Sequence, residues 1–210
     1  MRMAMLAFVV TTAFSASAQD GADPNMPVRP EGIWAGVGTK RPEHLPEATL
    51  SDSQRKAVLE AIHSHMKLDG LEQCDEEEPN GEWLGKITFK TIAVAQSRQV
   101  ILAESGLGCA RGLQGANGAM WVVALDRPKP VLLATPQDGF DGWLYAVQPS
   151  QNHGYHDVVL GWHWSAFETG FSYFRFDGSS YQCIGGARQI QDRDTGKVSF
   201  ETDAGCDTDH

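Results

Sequence analysis

Asp157-Val158-Val159-Leu160-Gly161-Trp162-His163-Trp164, followed after a short break by Phe171-Ser172-Tyr173-Phe174-Arg175-Phe176, decides the fold class of this chain. In extended backbone, successive side chains point to opposite faces. Val158, Leu160, Trp162 and Trp164 then share one face, and Asp157, Val159, Gly161 and His163 the other. Burying the first row removes several hundred Å² of apolar surface from water, and at about 25 cal/mol per Å² it dominates the core. Asp177-Gly178 turns the chain into a further strand over residues 181–184.

Working outward, the same two-residue period marks strands at 143–147, 131–135, 120–125 and 99–103. Ile87 and Phe89, alternating with Lys86, Thr88 and Lys90, mark one more. Arg127-Pro128-Lys129-Pro130, Asp138-Gly139 and Asp141-Gly142 supply turns between them. The expected fold is mainly β (α+β): an antiparallel meander or sandwich of seven to eight strands with one N-terminal helix. A loose echo relates residues 100–126 to 158–177, but two such units cannot close a ring of four or more blades, so a closed propeller is excluded. The helix is expected at about residues 51–69. Ser51 and Gln54 form a capping box, Val58, Ala61, Ile62, His65 and Met66 share one face, and Asp69-Gly70 ends it.

Upstream of the helix, Pro24, Pro27, Pro30, Pro42 and Pro46 point to an extended arm over residues 19–48, from which Trp34 could dock onto the body. Residues 1–18 read as a cleavable secretory signal: Arg2, an apolar run from Ala4 to Val10, then Ser15-Ala16-Ser17-Ala18. The run is far below the roughly 20 residues of a bilayer span. Residues 49–210 are left as a single mostly β domain, periplasmic or secreted. Removing Arg2 with the signal leaves 16 basic against 27 acidic residues. That excess repels phosphate backbones and anionic lipid, so neither nucleic acid nor a membrane is an expected partner; a basic protein would be steered toward it. Cys74, Cys109, Cys183 and Cys206 read as disulfides in an oxidising compartment, with chain order favouring Cys74–Cys109 and Cys183–Cys206.

The stretch from Asn152-His153-Gly154-Tyr155-His156-Asp157 through His163-Trp164-Ser165-Ala166 to Tyr173-Phe174-Arg175-Phe176-Asp177-Gly178-Ser179-Ser180-Tyr181 resembles a pattern of uncharacterised exported bacterial proteins. That pattern runs N-G-Y-x-D, an aliphatic strand, H-x-S-A, then Y-x-F-D-G-x-x-Y. It is also similar to degenerate FG-GAP or VCBS-type β repeats over roughly residues 97 to 185. The resemblance implies an exported β fold and brings no activity with it. Where such repeats place a calcium-loop Asp stands His153, leaving Asn152 and Asp157 as oxygen donors, too few for calcium.

Three side-chain sets carry candidate chemistry. His153, His156 and Asp157 could form a metal module, although catalytic zinc needs three converging ligands, and His163 lies roughly 20 Å further along the strand. Glu168 with Asp138 or Asp141 could supply the two carboxyls of a polysaccharide hydrolase, which must lie about 5–9 Å apart. Trp162, Trp164 and Tyr173 could form an aromatic binding face, with Arg111 in the glycine-rich loop 105–118 as an anion contact. No P-loop, G-x-S-x-G elbow or H-E-x-x-H occurs, and no cofactor is expected. The expectation is therefore an exported non-enzymatic domain recognising a protein or cell-envelope component, inhibitor- or immunity-like. The alternatives are the envelope hydrolase and the metal-binding module.

Overall fold

A computed structural model describes residues 32–38, 44–106, 117–126, 128–202 and 205–206. Helix α1 (Asp52–His65) starts where the capping box places it: Gln54 N donates to Ser51 Oγ at 3.2 Å and Ser51 N to Gln54 Oε1 at 3.0 Å. It stops four residues before the expected end. Residues 66–69 form turns instead, with Asp69 turned inward to accept hydrogen bonds. A short helix α2 (Gln73–Glu77) then occupies the acidic stretch, burying Cys74, and runs into a 3₁₀ segment at Pro79–Lys86.

Nine antiparallel strands follow: β1 (Thr88–Thr91), β2 (Val100–Glu104), β3 (Gly118–Ala124), β4 (Val131–Ala134), β5 (Asp141–Asn152), β6 (Tyr155–Ser165), β7 (Glu168–Phe176), β8 (Tyr181–Gln191) and β9 (Val198–Thr202). Their order is β1-β2-β3-β5-β6-β7-β8-β9, with β4 also paired to β3. The sheet is an open meander. β3 joins both halves, pairing through Val122–Ala124 with β4 and through Gly118 and Ala119 with β5.

The faces follow the alternation. Val100 and Leu102, Met120 and Val122, Val158 and Leu160, and Phe174 and Phe176 fill one core between the two halves. Ile101, Trp121 and Val123 meet Val58 and Ile62 of α1 in a second core. Val159, Phe171 and Tyr173 meet Trp34 and Val37 in a third. Burial on both sides explains why residues 158–162 read as a nearly continuous apolar run.

Two described pieces of the proline-rich arm dock on this body. Trp34 sits edge-on to Tyr173, with ring centroids 5.7 Å apart. Residues 46–48 run beside β1, where Ala48 N donates to Phe89 O (2.8 Å) and the Pro46 carbonyl accepts from Thr91 N (2.9 Å). Proline cannot donate to a ladder, but its carbonyl still accepts. Cys183 and Cys206 form a disulfide, as expected; Cys74 is also disulfide-bonded, while Cys109 lies outside the described residues, as do residues 1–18 and Arg111. Among the described residues, no helix is long and apolar enough to cross a membrane.

Candidate functional site

The β6 strand ends in three residues that diverge. Trp162 turns into the body and is 5 % exposed, its ring lying over Gly170 of β7. Trp164 stays 46 % exposed and packs edge-on to Trp162, with centroids 5.9 Å apart. His163 stacks on Trp143, with centroids 4.6 Å apart, and its backbone is clamped by Asn117 through His163 N to Oδ1 (2.9 Å) and Nδ2 to His163 O (3.2 Å).

On the Trp164 side, two turns lie together, because Gln191 N at the end of β8 donates to Phe167 O in the β6–β7 turn at 2.8 Å. The neighbouring β8–β9 turn is built on Asp192, whose Oδ1 accepts from Thr195 N (2.7 Å), Asp194 N (3.1 Å) and Thr195 Oγ1 (2.7 Å). The Arg188 guanidinium lies 4.7 Å from the Trp164 ring centroid and that of Arg193 lies 4.6 Å from the Phe167 centroid. Among the described residues, no carboxylate forms an ion pair with either arginine. An arginine stacked on a ring keeps its in-plane N–H donors available. This end therefore offers two half-exposed aromatic rings, each carrying a positioned cation, on a chain whose formal charge is −10.

On the His163 side, two adjoining cavities of about 610 and 490 Å³ share Glu104 and Trp143 as walls. Ser105, Met120 and Lys86 complete the first, and Lys90, His44 and His163 the second. Glu104 ends β2 opposite Thr88 and Met120. Burial pushes its carboxyl above the ordinary range, the Lys90 charge pulls it back, and Glu47 adds to the rise. Lys90 is ion-paired with Glu47, and Lys86 with Glu78. The Ser105 hydroxyl and the Trp143 indole N–H are both buried without a hydrogen-bond partner.

The sequence-derived sets are distributed differently. Asp157 is fully buried on the third-core side of β6. Its Oδ2 accepts from Ser150 Oγ (2.8 Å), Tyr173 Oη (3.2 Å) and Arg175 Nη2 (2.9 Å). Burial pushes this carboxyl up, but the Arg175, Ser150 and Tyr173 hydrogen bonds and the Arg175 charge together hold it below its ordinary value. His156 Nδ1 bonds the Gln148 carbonyl (2.7 Å) and its Nε2 meets the Gln151 amide nitrogen (2.6 Å). His153 takes the left-handed position of the β5–β6 turn, with φ 48°. The three thus serve separate local roles, and no group of three potential ligands converges among the described residues. Asp138 Oδ2 accepts from Thr135 N (3.0 Å) and Oγ1 (3.2 Å), stapling its own turn. Asp141 opens β5 and Glu168 opens β7, with β6 between them, about 10 Å of sheet from backbone to backbone. Of the aromatic set, Trp162 and Tyr173 are buried and Trp164 is exposed.

Glu104 had a readable signal. It shares the parity of Val100 and Leu102, so a carboxylate follows the apolar face of its own strand. Arg188, Arg193 and Trp143 had none, because their partners come from other strands. No known protein family matches this chain, and no curated protein or solved structure matches it.

Proposed function

We propose that this chain is an exported, non-enzymatic domain that recognises a protein or cell-envelope component, inhibitor- or immunity-like, through the end of the sheet formed by the β6–β7 and β8–β9 turns. The observation that carries the reading is the pair of stacked contacts, Arg188 on Trp164 and Arg193 on Phe167. Interfaces are enriched in aromatic residues and arginine at the positions that hold most binding energy. Stacking restrains both guanidinium groups, and a restrained side chain loses less entropy on association. The acidic bulk of the chain steers a basic partner toward it, while Arg188 and Arg193 at this end call for a carboxylate or carbonyl acceptor on the partner's contacting patch.

The test compares the wild-type protein with a Trp164→Ala/Phe167→Ala variant. Each is cross-linked in a periplasmic extract of the host and co-sedimented with its isolated cell wall. The wild type should retain a partner that the variant loses. Equal recovery by both, or no recovery by either, defeats the reading. Export itself is read by intact mass: the native protein should lack residues 1–18 and contain no free thiol.

A further inference from the structure

Independently of the aromatic end, we infer that the outer edge of β9 is a self-association surface. A second copy of this chain adds its own β9 there, antiparallel, about a two-fold axis at Ser199. Two hydrogen bonds fix which way the β9 backbone points. Asp192 N donates to Lys197 O at 2.8 Å, so these residues form a hydrogen-bonded pair at the end of the β8–β9 ladder. Gln191 N, next along, donates instead to Phe167 O on the β7 side at 2.8 Å. Bonded and non-bonded pairs alternate in an antiparallel ladder, and β8–β9 runs without a register shift. Ser199 and Glu201, opposite Ile190 and Arg188, therefore bond to β8. Val198, Phe200 and Thr202 aim their N–H and C=O groups at the outer edge.

This edge is suited to pairing. A row of unpaired backbone groups is a template for another strand, and folds blunt it with proline, a bulge or a covering segment. At the other end of the sheet, residues 46–48 cover β1. β9 ends the strand order and holds neither proline nor bulge. Among the described residues, no backbone group bonds to its outer side. The chain beyond it returns over β8, where Cys206 is bonded to Cys183 and the Gly205 carbonyl lies against Gly186. Lys197, Ser199, Glu201 and Thr202 are exposed.

The residues of the edge select a second copy as its occupant. With the axis at Ser199, Val198 faces Phe200 of the second copy and Lys197 faces Glu201 of the second copy. Val198 and Phe200 are outward-pointing positions, so each such pair exchanges both of its backbone hydrogen bonds. Apolar pairs and opposite charges directly across a ladder both stabilise it. Arg188 is the cross-strand neighbour of Glu201 in β8, so the Glu201 carboxylate would lie between two cations. One patch thus matches itself, as an isologous two-fold contact requires.

A single strand pair buries little area, so a Kd on the order of 100 µM is expected. Sedimentation velocity on the purified full chain, from about 10 µM to 1 mM, should show monomer passing to dimer. Val198→Pro removes an N–H that points away from β8, so the β8–β9 ladder survives. That variant, folded by circular dichroism, should dimerise about tenfold more weakly. Lys197→Glu and Glu201→Lys each set like charges across the contact and should each weaken it about tenfold. An equimolar mixture of the two restores opposite charges at both positions and should pair as tightly as wild type. A wild type that stays monomeric over the whole range overturns the inference. So does undiminished dimerisation of Val198→Pro, or a mixture that pairs no better than either charge variant alone. Only purified protein is used, so none of these outcomes depends on the partner sought at the aromatic end.

Discussion

The indole N–H of Trp121 donates to Oδ2 of Asp69 at 2.9 Å, and the Asp69 side chain is fully buried. The same carboxylate takes His65 Nδ1 (3.0 Å) and the backbone N–H of Gln137 (3.3 Å). One side chain thus ties the end of α1 to the centre of β3 and to the turn after β4.

Asp69→Ala should therefore destabilise the protein by about 2–3 kcal/mol, because it strands a buried indole N–H and removes a charge-assisted acceptor. At about 2–4 °C per kcal/mol for a domain of this size, the melting temperature should fall by roughly 4–12 °C. Asp69→Asn, which keeps an acceptor, should lose less than half of that. Equal melting of Asp69→Ala and wild type would discard the account.

How much of this could be read from the sequence depended on range. The capping box, the two-residue alternation and the turn signals are local, and they located α1 and eight of the nine strands. β9, Val198–Thr202, was missed although Val198 and Phe200 alternate with Ser199 and Glu201, because two apolar residues at a chain end are too short a signal and the strand owes its place to pairing with β8. β5 was read too short because Pro149 interrupts it; the sheet accommodates this proline in the register shift between Val147 and Gln151. The candidate site was less legible. Trp164 could be named but its exposure could not, since burial of Trp162 and exposure of Trp164 on one face depend on where the opposing half of the sheet ends. Glu104 and Trp143 line the same cavities from strands nearly forty residues apart, and no single-strand pattern encodes that placement.

Arg175 sets the pH response of the buried Asp157. The folded pKa of Asp157 lies below its ordinary 3.8, so its contribution is present above that value and lost as pH falls through the folded pKa. Arg175→Met leaves burial less opposed and the carboxyl rises. The loss at pH 7 should be about 3 kcal/mol, at the low end for breaking a buried pair because Arg175 is itself 40 % exposed. The gap from wild type should narrow toward pH 4, where the variant's carboxyl takes up a proton. Urea unfolding at pH 4, 5.5 and 7 reads it, and a gap independent of pH would refute the assignment.

Gly170 is a slot for an aromatic ring. A Cβ there would lie 1.3 Å from Cζ3 of Trp162, whose ring is nearly buried and cannot step aside. Gly170→Ala should cost at least about 1–3 kcal/mol and disturb the Trp162–Trp164 contact, visible in near-ultraviolet circular dichroism. Gly85→Ala, where a Cβ meets nothing within 4 Å, is the control and should stay within about 0.5 kcal/mol of wild type. Matching stabilities for the two variants would show that the slot is not needed.

Glu104 is a carboxylate whose charge is disfavoured by burial. Its carboxyl is raised mainly by burial, with Glu47 adding to the rise and Lys90 opposing it. A raised folded pKa means that the folded protein holds the proton more tightly than the unfolded chain between the two pKa values. The stabilisation from that proton is therefore complete below the ordinary value of 4.5 and is lost as pH rises through the folded pKa. Glu104→Gln keeps the shape and hydrogen-bonding capacity without the charge. The variant should melt with wild type at pH 4 and above it at pH 8, with the gap opening across the titration of Glu104. Thermal melts from pH 4 to 8 decide the point: a gap of constant size, or a wild type that is the more stable protein at pH 8, would mean that the Glu104 carboxylate is comfortable in the cleft.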